Sequence, residues 1–145
     1  MTTDDNHATV AGTLPSPSPE ANLETQPFWD AAAEGRFVLP VCDSCSEAIW
    51  YPRVFCPHCG GSDVTWTDSA GTGTIYSFTV VERGQGRWRE HSPYVLAYIE
   101  LDEGPRMMSN IIEANPDDLA IGQPVSVRFD PGADGGNLVR FGPAV

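Results

Sequence analysis

There is no lysine in the 145 residues; all eight basic side chains are arginines, set against twenty aspartates and glutamates, for a formal net charge of −12. A surface of that sign repels polyanions over most of its area, which argues against a general nucleic-acid-binding protein. Long apolar runs are missing too. No stretch approaches the roughly eighteen apolar residues that a membrane-spanning helix needs, and no basic segment followed by an apolar one opens the sequence. The expectation is a cytoplasmic protein without a membrane span. Nor is any cysteine left over: all four lie in two CxxC pairs, which in a reducing compartment indicates metal ligation rather than disulfides. Finally, the chain has no hydrolase serine motif, paired carboxylates, Walker loop or dinucleotide fingerprint. Gly71-Thr72-Gly73 is followed by strand text rather than a helix. No catalytic residue is assigned, and the chain is not expected to be an enzyme by itself.

What is present is turn chemistry: fourteen glycines and thirteen prolines beside 41% hydrophobic residues. This composition favours short strands over long helices. Residues 1–25, rich in Thr, Ser, Pro and Asp, read as a disordered tail. Over residues 27–34, Pro27 at a first helical position, three alanines and Gly35 as a stop predict one helix of about two turns. Phe28 and Trp29 are too large to stay exposed on so short an element. They either pack on the chain's own ribbon or dock on another subunit. Residues 36–41, 48–53 and 64–67 read as strands flanking the cysteines.

After Asp68 the composition changes and alternating strands begin. In residues 74–81 Tyr76, Phe78 and Val80 fall on one face, with Ile75, Ser77, Thr79 and Val81 on the other. Residues 94–101 and 106–112 follow, joined by the turn Asp102-Glu103-Gly104-Pro105. Asn115-Pro116 starts a helical turn, and strands around residues 125–129 and 138–141 close the set. Three strands, a short helix and two strands is the order of a Greek-key OB barrel. The expected fold is therefore mainly β: a short N-terminal helix, a rubredoxin-like zinc ribbon (residues 26–70 together), then a five-stranded OB-fold barrel (71–145).

Cys42, Cys45, Cys56 and Cys59 are spaced CxxC, ten residues, CxxC. In such knuckles a tight turn aims two sulfurs at one point, and two knuckles complete a tetrahedron. Four thiolates leave no open position, so a structural Zn site is expected; the same ligands suit rubredoxin-type iron, and spacing alone does not choose. Gly60 supplies a permissive backbone after Cys59, whereas Ser46 stands at the corresponding place in the first knuckle, where strain is expected. His58 reads as a spacer within the second knuckle. Between Glu82 and Glu90, Arg83, Arg87 and Arg89 crowd together with Trp88, and His91 follows in the same loop. Such arginines can grip phosphates bidentately or simply pair with the neighbouring glutamates.

Pro27-Phe28-Trp29 with Glu34-Gly35-Arg36, the two knuckles with Tyr51-Pro52-Arg53 between them, Gly71-Thr72-Gly73-Thr74, Pro93-Tyr94, Glu100-Leu101-Asp102-Glu103-Gly104 and Ile121-Gly122, in that order, resemble the acyl-CoA-associated zinc-ribbon plus OB-fold proteins, domain of unknown function 35. The resemblance implies a non-catalytic hetero-oligomeric partner of thiolase-like enzymes: acyltransferases, thiolases, or retro-aldolases that shorten steroid side chains. It implies docking through Phe28 and Trp29, and acyl-CoA contact through Arg83, Arg87, Trp88, Arg89 and His91. Two other classes share parts of the pattern. A single-stranded nucleic-acid binder would stack bases on Tyr76, Phe78 and Tyr98; the net charge opposes it. A rubredoxin-like electron carrier would require iron.

Overall fold

The computed structural model describes residues 14–144. The helix, α1 (Gln26–Ala33), has Pro27 in its first turn and ends where Gly35 takes a φ of +75°. Phe28, Ala31 and Ala32, at i, i+3 and i+4, form its buried face. Two turns cannot stand alone in water, and the barrel completes them: Asn137 donates its side-chain amide to the Ala32 carbonyl at 2.9 Å. The Phe28 ring makes edge contacts with Trp29 at 5.0 Å, Trp50 at 5.0 Å and Phe37 at 5.9 Å. With only 3% of its surface exposed, Phe28 is a core residue. This matches the first of the two alternatives expected for it, packing on the chain's own ribbon.

The ribbon is a two-stranded antiparallel sheet, β1 (Val38–Cys42) on β2 (Val64–Asp68). The strand expected over residues 48–53 does not form; that segment makes a single bridge, Val41 to Ala48. Trp50 turns in to meet Phe28, and Pro52 has no N–H with which to continue a ladder.

Five strands close the barrel: β3 (Thr72–Val81), β4 (Tyr94–Leu101), β5 (Arg106–Ile111), β6 (Pro124–Pro131) and β7 (Asn137–Pro143), in the spatial order β3-β4-β5-β7-β6. Only β5 and β7 run parallel, through Ile111 opposite Phe141. This is the OB arrangement expected, including the turn at Pro116–Asp118, where the Asn115 side chain accepts the Asp117 N–H. Strict alternation fails within β3. A bulge lies between Ile75 and Ser77, so that Ile75 pairs with Ile99, Phe78 with Ala97, and Tyr76 has no opposite number. Ile75 and Phe78 therefore both join the core, while Tyr76 stands outside beneath the Arg106 guanidinium, 3.8 Å from its ring centroid.

Ribbon and barrel share one core. Phe37, at the entrance to β1, packs edge-on against Phe28 and against Phe141 of β7 at 6.2 Å, and Leu39 and Ala48 belong to the same buried cluster as Ile75, Val95, Ile99 and Val125.

Of the expected N-terminal tail, residues 1–13 lie outside the described residues. Residues 14–16 differ from a free tail: they form a strap against the barrel. Its anchor is Arg140, which with Asp130 lies on the strand face opposite Phe141 and is only 3% exposed. Arg140 pairs with Asp130 and donates to the Ser16 hydroxyl at 3.0 Å and the Pro15 carbonyl at 2.6 Å. A buried guanidinium requires several acceptors at once, and the strap supplies two of them.

Gly71 joins ribbon to barrel at a φ of +69°, where a Cβ would lie 2.5 Å from Cγ1 of Val127. Gly71→Ala is expected to destabilise the protein by about 2–4 kcal/mol, combining left-handed backbone strain with overpacking. Denaturant unfolding followed by tryptophan fluorescence will read this as a lower midpoint at unchanged slope.

Candidate functional site

The four cysteine sulfurs converge. All lie within 4.8 Å of one another, with Cys42 Sγ to Cys59 Sγ at 3.6 Å and Cys45 Sγ to Cys56 Sγ at 3.7 Å. A tetrahedron with metal–sulfur bonds of about 2.3 Å has an edge of about 3.8 Å, so these spacings fit a metal ion at the centre. Each knuckle closes with the same turn: the Ser46 N–H reaches the Cys42 carbonyl at 2.8 Å, and the Gly60 N–H the Cys56 carbonyl at 2.9 Å. Ser46 and Gly60 accordingly share a left-handed backbone, φ +64° and +77°; the strain expected at Ser46 is the cost of a Cβ in that region. Further backbone amides point at sulfur, His58 N–H on Cys56 at 3.3 Å and Gly61 N–H on Cys59 at 3.4 Å. His58 contributes its amide, while the residue itself is exposed.

The thiols of the site do not ionise alike. The Cys42 thiol is lowered to about 7, chiefly because the Cys45 backbone N–H donates to it, against the effect of burial. Cys45 goes the other way, to about 12: the Glu47 N–H works to lower it, but burial and the sulfurs of Cys56, Cys42 and Cys59 outweigh that donor. The Cys59 thiol is also raised, although the Gly61 N–H favours its ionised form, with the Cys42 sulfur as the leading opposing influence. The thiolate form is favoured at Cys42 and disfavoured at Cys45 and Cys59, where a cation among the sulfurs would favour it.

The arginine loop connects β3 to β4. Its middle is a 3-10 helix, Gly86–His91, braced by Ser92, whose hydroxyl accepts the Gly84 N–H at 2.6 Å and donates to the Trp88 carbonyl at 3.0 Å. Arg83, Arg87 and Arg89 are exposed, and among the described residues none has an ion-pair partner, Glu82 and Glu90 included. Trp88 packs on Tyr94, centroids 4.6 Å apart, and against Leu14 and Ile112; that packing takes up part of the ring expected to contact acyl-CoA. His91 is half-buried in the last turn of the 3-10 helix. The metal centre and the loop belong to different parts of the fold, the ribbon and the barrel.

Trp29 lies at a recess of about 190 Å³ whose lining includes Trp50, Tyr51, Pro52 and Met108. Beyond it the segment between the knuckles exposes Tyr51, Val54 and Phe55, each by half or more. Sequence reasoning did not single out Val54 and Phe55. Their signal was an apolar pair inside a cysteine-bounded turn too small to bury it. Of the candidate stacking residues, Tyr76 and Tyr98 are 48% and 45% exposed on the outer barrel face, and Phe78 packs against the core.

Metal binding must displace protons from the raised thiols, so its apparent affinity will fall as pH drops. Between about pH 6 and pH 8 the logarithm of the association constant is expected to climb by more than about one unit per pH unit, as competition with a chromophoric chelator will measure. Cys56→Ser is expected to lose the bound equivalent of metal.

Comparison with known proteins places these features. Residues 29–65 match the family described as ChsH2, rubredoxin-like zinc ribbon domain, and residues 66–130 that described as ChsH2, C-terminal OB-fold domain. Among curated proteins the chain is 35% identical over 129 residues to a probable enoyl-CoA hydratase alpha subunit of Thermomonospora curvata, covering 89% of this chain and 40% of that one. It is 31% identical over 106 residues to a DUF35 domain-containing scaffold protein of Methanothermobacter thermautotrophicus, 70% of this chain and 78% of that one. It thus spans well under half of the hydratase subunit but most of the scaffold protein. A solved structure described as an Ltp2-ChsH2(DUF35) aldolase aligns with a TM-score of 0.79 at 34% identity, over 88% of this chain and 100% of that one. Two consecutive domain matches in the order of the fold, with sulfurs spaced for one ion, lead to a single conclusion: the chain belongs to the ChsH2-type DUF35 family of zinc-ribbon plus OB-fold proteins.

Proposed function

We propose that this protein is a non-catalytic subunit of a CoA-thioester-processing complex, docking on a thiolase-like enzyme and framing one side of its acyl-CoA site. The observation that carries the reading is the alignment, over the whole of the matched chain, with a structure described as an Ltp2-ChsH2(DUF35) aldolase. Carbon–carbon cleavage is the partner reaction it favours. The thioester class is supported by the relatives' names: the Thermomonospora hydratase subunit, and a 3-oxo-4,17-pregnadiene-20-carboxyl-CoA hydratase alpha subunit of Mycobacterium tuberculosis, 28% identical over 77% of this chain and 35% of that one.

In this reading Cys42, Cys45, Cys56 and Cys59 hold Zn²⁺, a closed ion that stiffens the ribbon without taking part in the chemistry. The docking face is Trp29 together with Tyr51, Val54 and Phe55, apolar groups exposed beside a rigid metal turn. Arg83, Arg87 and Arg89 receive the phosphates of coenzyme A. Supporting this, they stand unpaired among the described residues in a chain of net charge −12; Arg36, Arg106, Arg128 and Arg140 each hold a carboxylate, and Arg53 alone of the others does not. His91 and Trp88 flank them. The outer barrel face fits nucleic acid less well, because the cation over Tyr76, Arg106, is already paired with Glu100 at 2.9 Å.

Purification of the native complex is expected to yield a thiolase-fold subunit and one zinc per chain, without the visible absorption of thiolate-bound iron. Replacing Arg83, Arg87 and Arg89 together by glutamine is expected to weaken CoA-thioester binding to the complex about tenfold or more, with metal content unchanged. Unchanged affinity removes the loop from the reading, and turnover of a thioester by the isolated chain overturns the accessory role.

A further inference from the structure

In OB barrels the loop between the first and second strands and the loop between the fourth and fifth carry ligands. Here these are residues 82–93, between β3 and β4, and residues 132–136, between β6 and β7. One short segment touches both. Leu14 is 6% exposed and packs with Ile112, Trp88 and Tyr94, that is, against the first loop and the start of β4. Two residues on, the Ser16 carbonyl accepts the Ala133 N–H of the second loop at 3.1 Å. Between these two contacts the Pro15 carbonyl and the Ser16 hydroxyl are held by buried Arg140.

We infer that the strap, residues 14–16, is the positioning element of the arginine loop: by seating Leu14 on Trp88 it fixes the 3-10 helix that presents Arg87 and Arg89. The geometry of that helix makes the link direct. Arg87 and Arg89 are the immediate neighbours of Trp88, and a six-residue 3-10 helix has few hydrogen bonds of its own. Ser92 braces it from within, through the Gly84 N–H and the Trp88 carbonyl. From outside, Trp88 packs against Tyr94 and against the Leu14–Ile112 cluster. Unseating Leu14 removes part of that packing and leaves the indole held by Tyr94 and Ile112. Long unpaired arginines lose most affinity when the backbone that carries them must be ordered at the moment of binding. The strap therefore orders the loop in advance, and Arg140, which touches no ligand in this scheme, acts through Pro15 and Ser16.

The inference takes what the arginines bind from the phosphate reading above, but its own test does not depend on that reading. In the metal-loaded full chain, Leu14→Ser is expected to speed amide hydrogen exchange at Gly84 and Trp88 about tenfold, while Ile99 in the barrel and Ile49 in the ribbon keep their wild-type rates. Leu14→Met is expected to restore protection, and Leu14→Ala serves if the serine variant does not fold. Coenzyme A titrated into the same proteins is expected to bind the serine variant about tenfold more weakly, again with rescue by methionine. Wild-type exchange at residues 84–92 in the unseated variant overturns the inference, as does a uniform loss of protection that includes Ile99. Coenzyme A binding that ignores both the strap and the arginines overturns the phosphate reading, and leaves the exchange result to decide the strap.

Discussion

Phe37 joins the molecule's parts. Its ring contacts Phe28 of the helix on one side and Phe141 of the last barrel strand on the other, so helix, ribbon and barrel bury a common set of aromatics. None of the smaller pieces could do this alone. An eight-residue helix and two five-residue strands fall below what either element needs to persist in water. Burying a large apolar side chain contributes on the order of 1.5–3 kcal/mol, and Phe28, Phe37, Leu39 and Ile75 are all nearly fully enclosed.

The metal centre solves the remaining problem of the ribbon, its far end. Away from the shared core the two knuckles have little apolar material beyond Ile49 and partly buried Val64. Four sulfurs about a tetrahedral edge apart are placed so that a bound metal ion would hold that end through ligand bonds instead of packing. Four protein donors would complete a tetrahedral ion and give it a mechanical role, and the turn between the knuckles exposes Tyr51, Val54 and Phe55. Rigid presentation of apolar groups suits a docking surface, since little conformational entropy remains to be lost on association.

In the loop between β3 and β4 the same logic is applied to charge. A chain this acidic keeps polyanions at a distance, yet an anion that arrives in a defined orientation meets three arginines with no carboxylate partner among the described residues. The Arg140–Asp130 pair is the contrasting case. Buried and saturated with acceptors, it serves the placement of the strap rather than a ligand.

Sequence alone determined what depends on local geometry: two CxxC turns aiming four sulfurs at one point, the helix between Pro27 and Gly35, and a strand order that admits an OB barrel. Each is set by residues within a few positions of one another, or by their periodicity. Tertiary structure decided the rest. Tyr76 and Phe78, two apart and so expected on one face, were separated by a bulge that is visible only in the pairing with β4. Residues 48–53 alternate well enough for a strand, but Trp50 was drawn to Phe28, more than twenty positions earlier. The Pro-rich segment 14–19 has no core of its own, and its order comes from Arg140, across almost the whole chain. Contacts of that separation leave no mark in periodicity, because their free energy is realised only once the barrel has closed and brought the partners together.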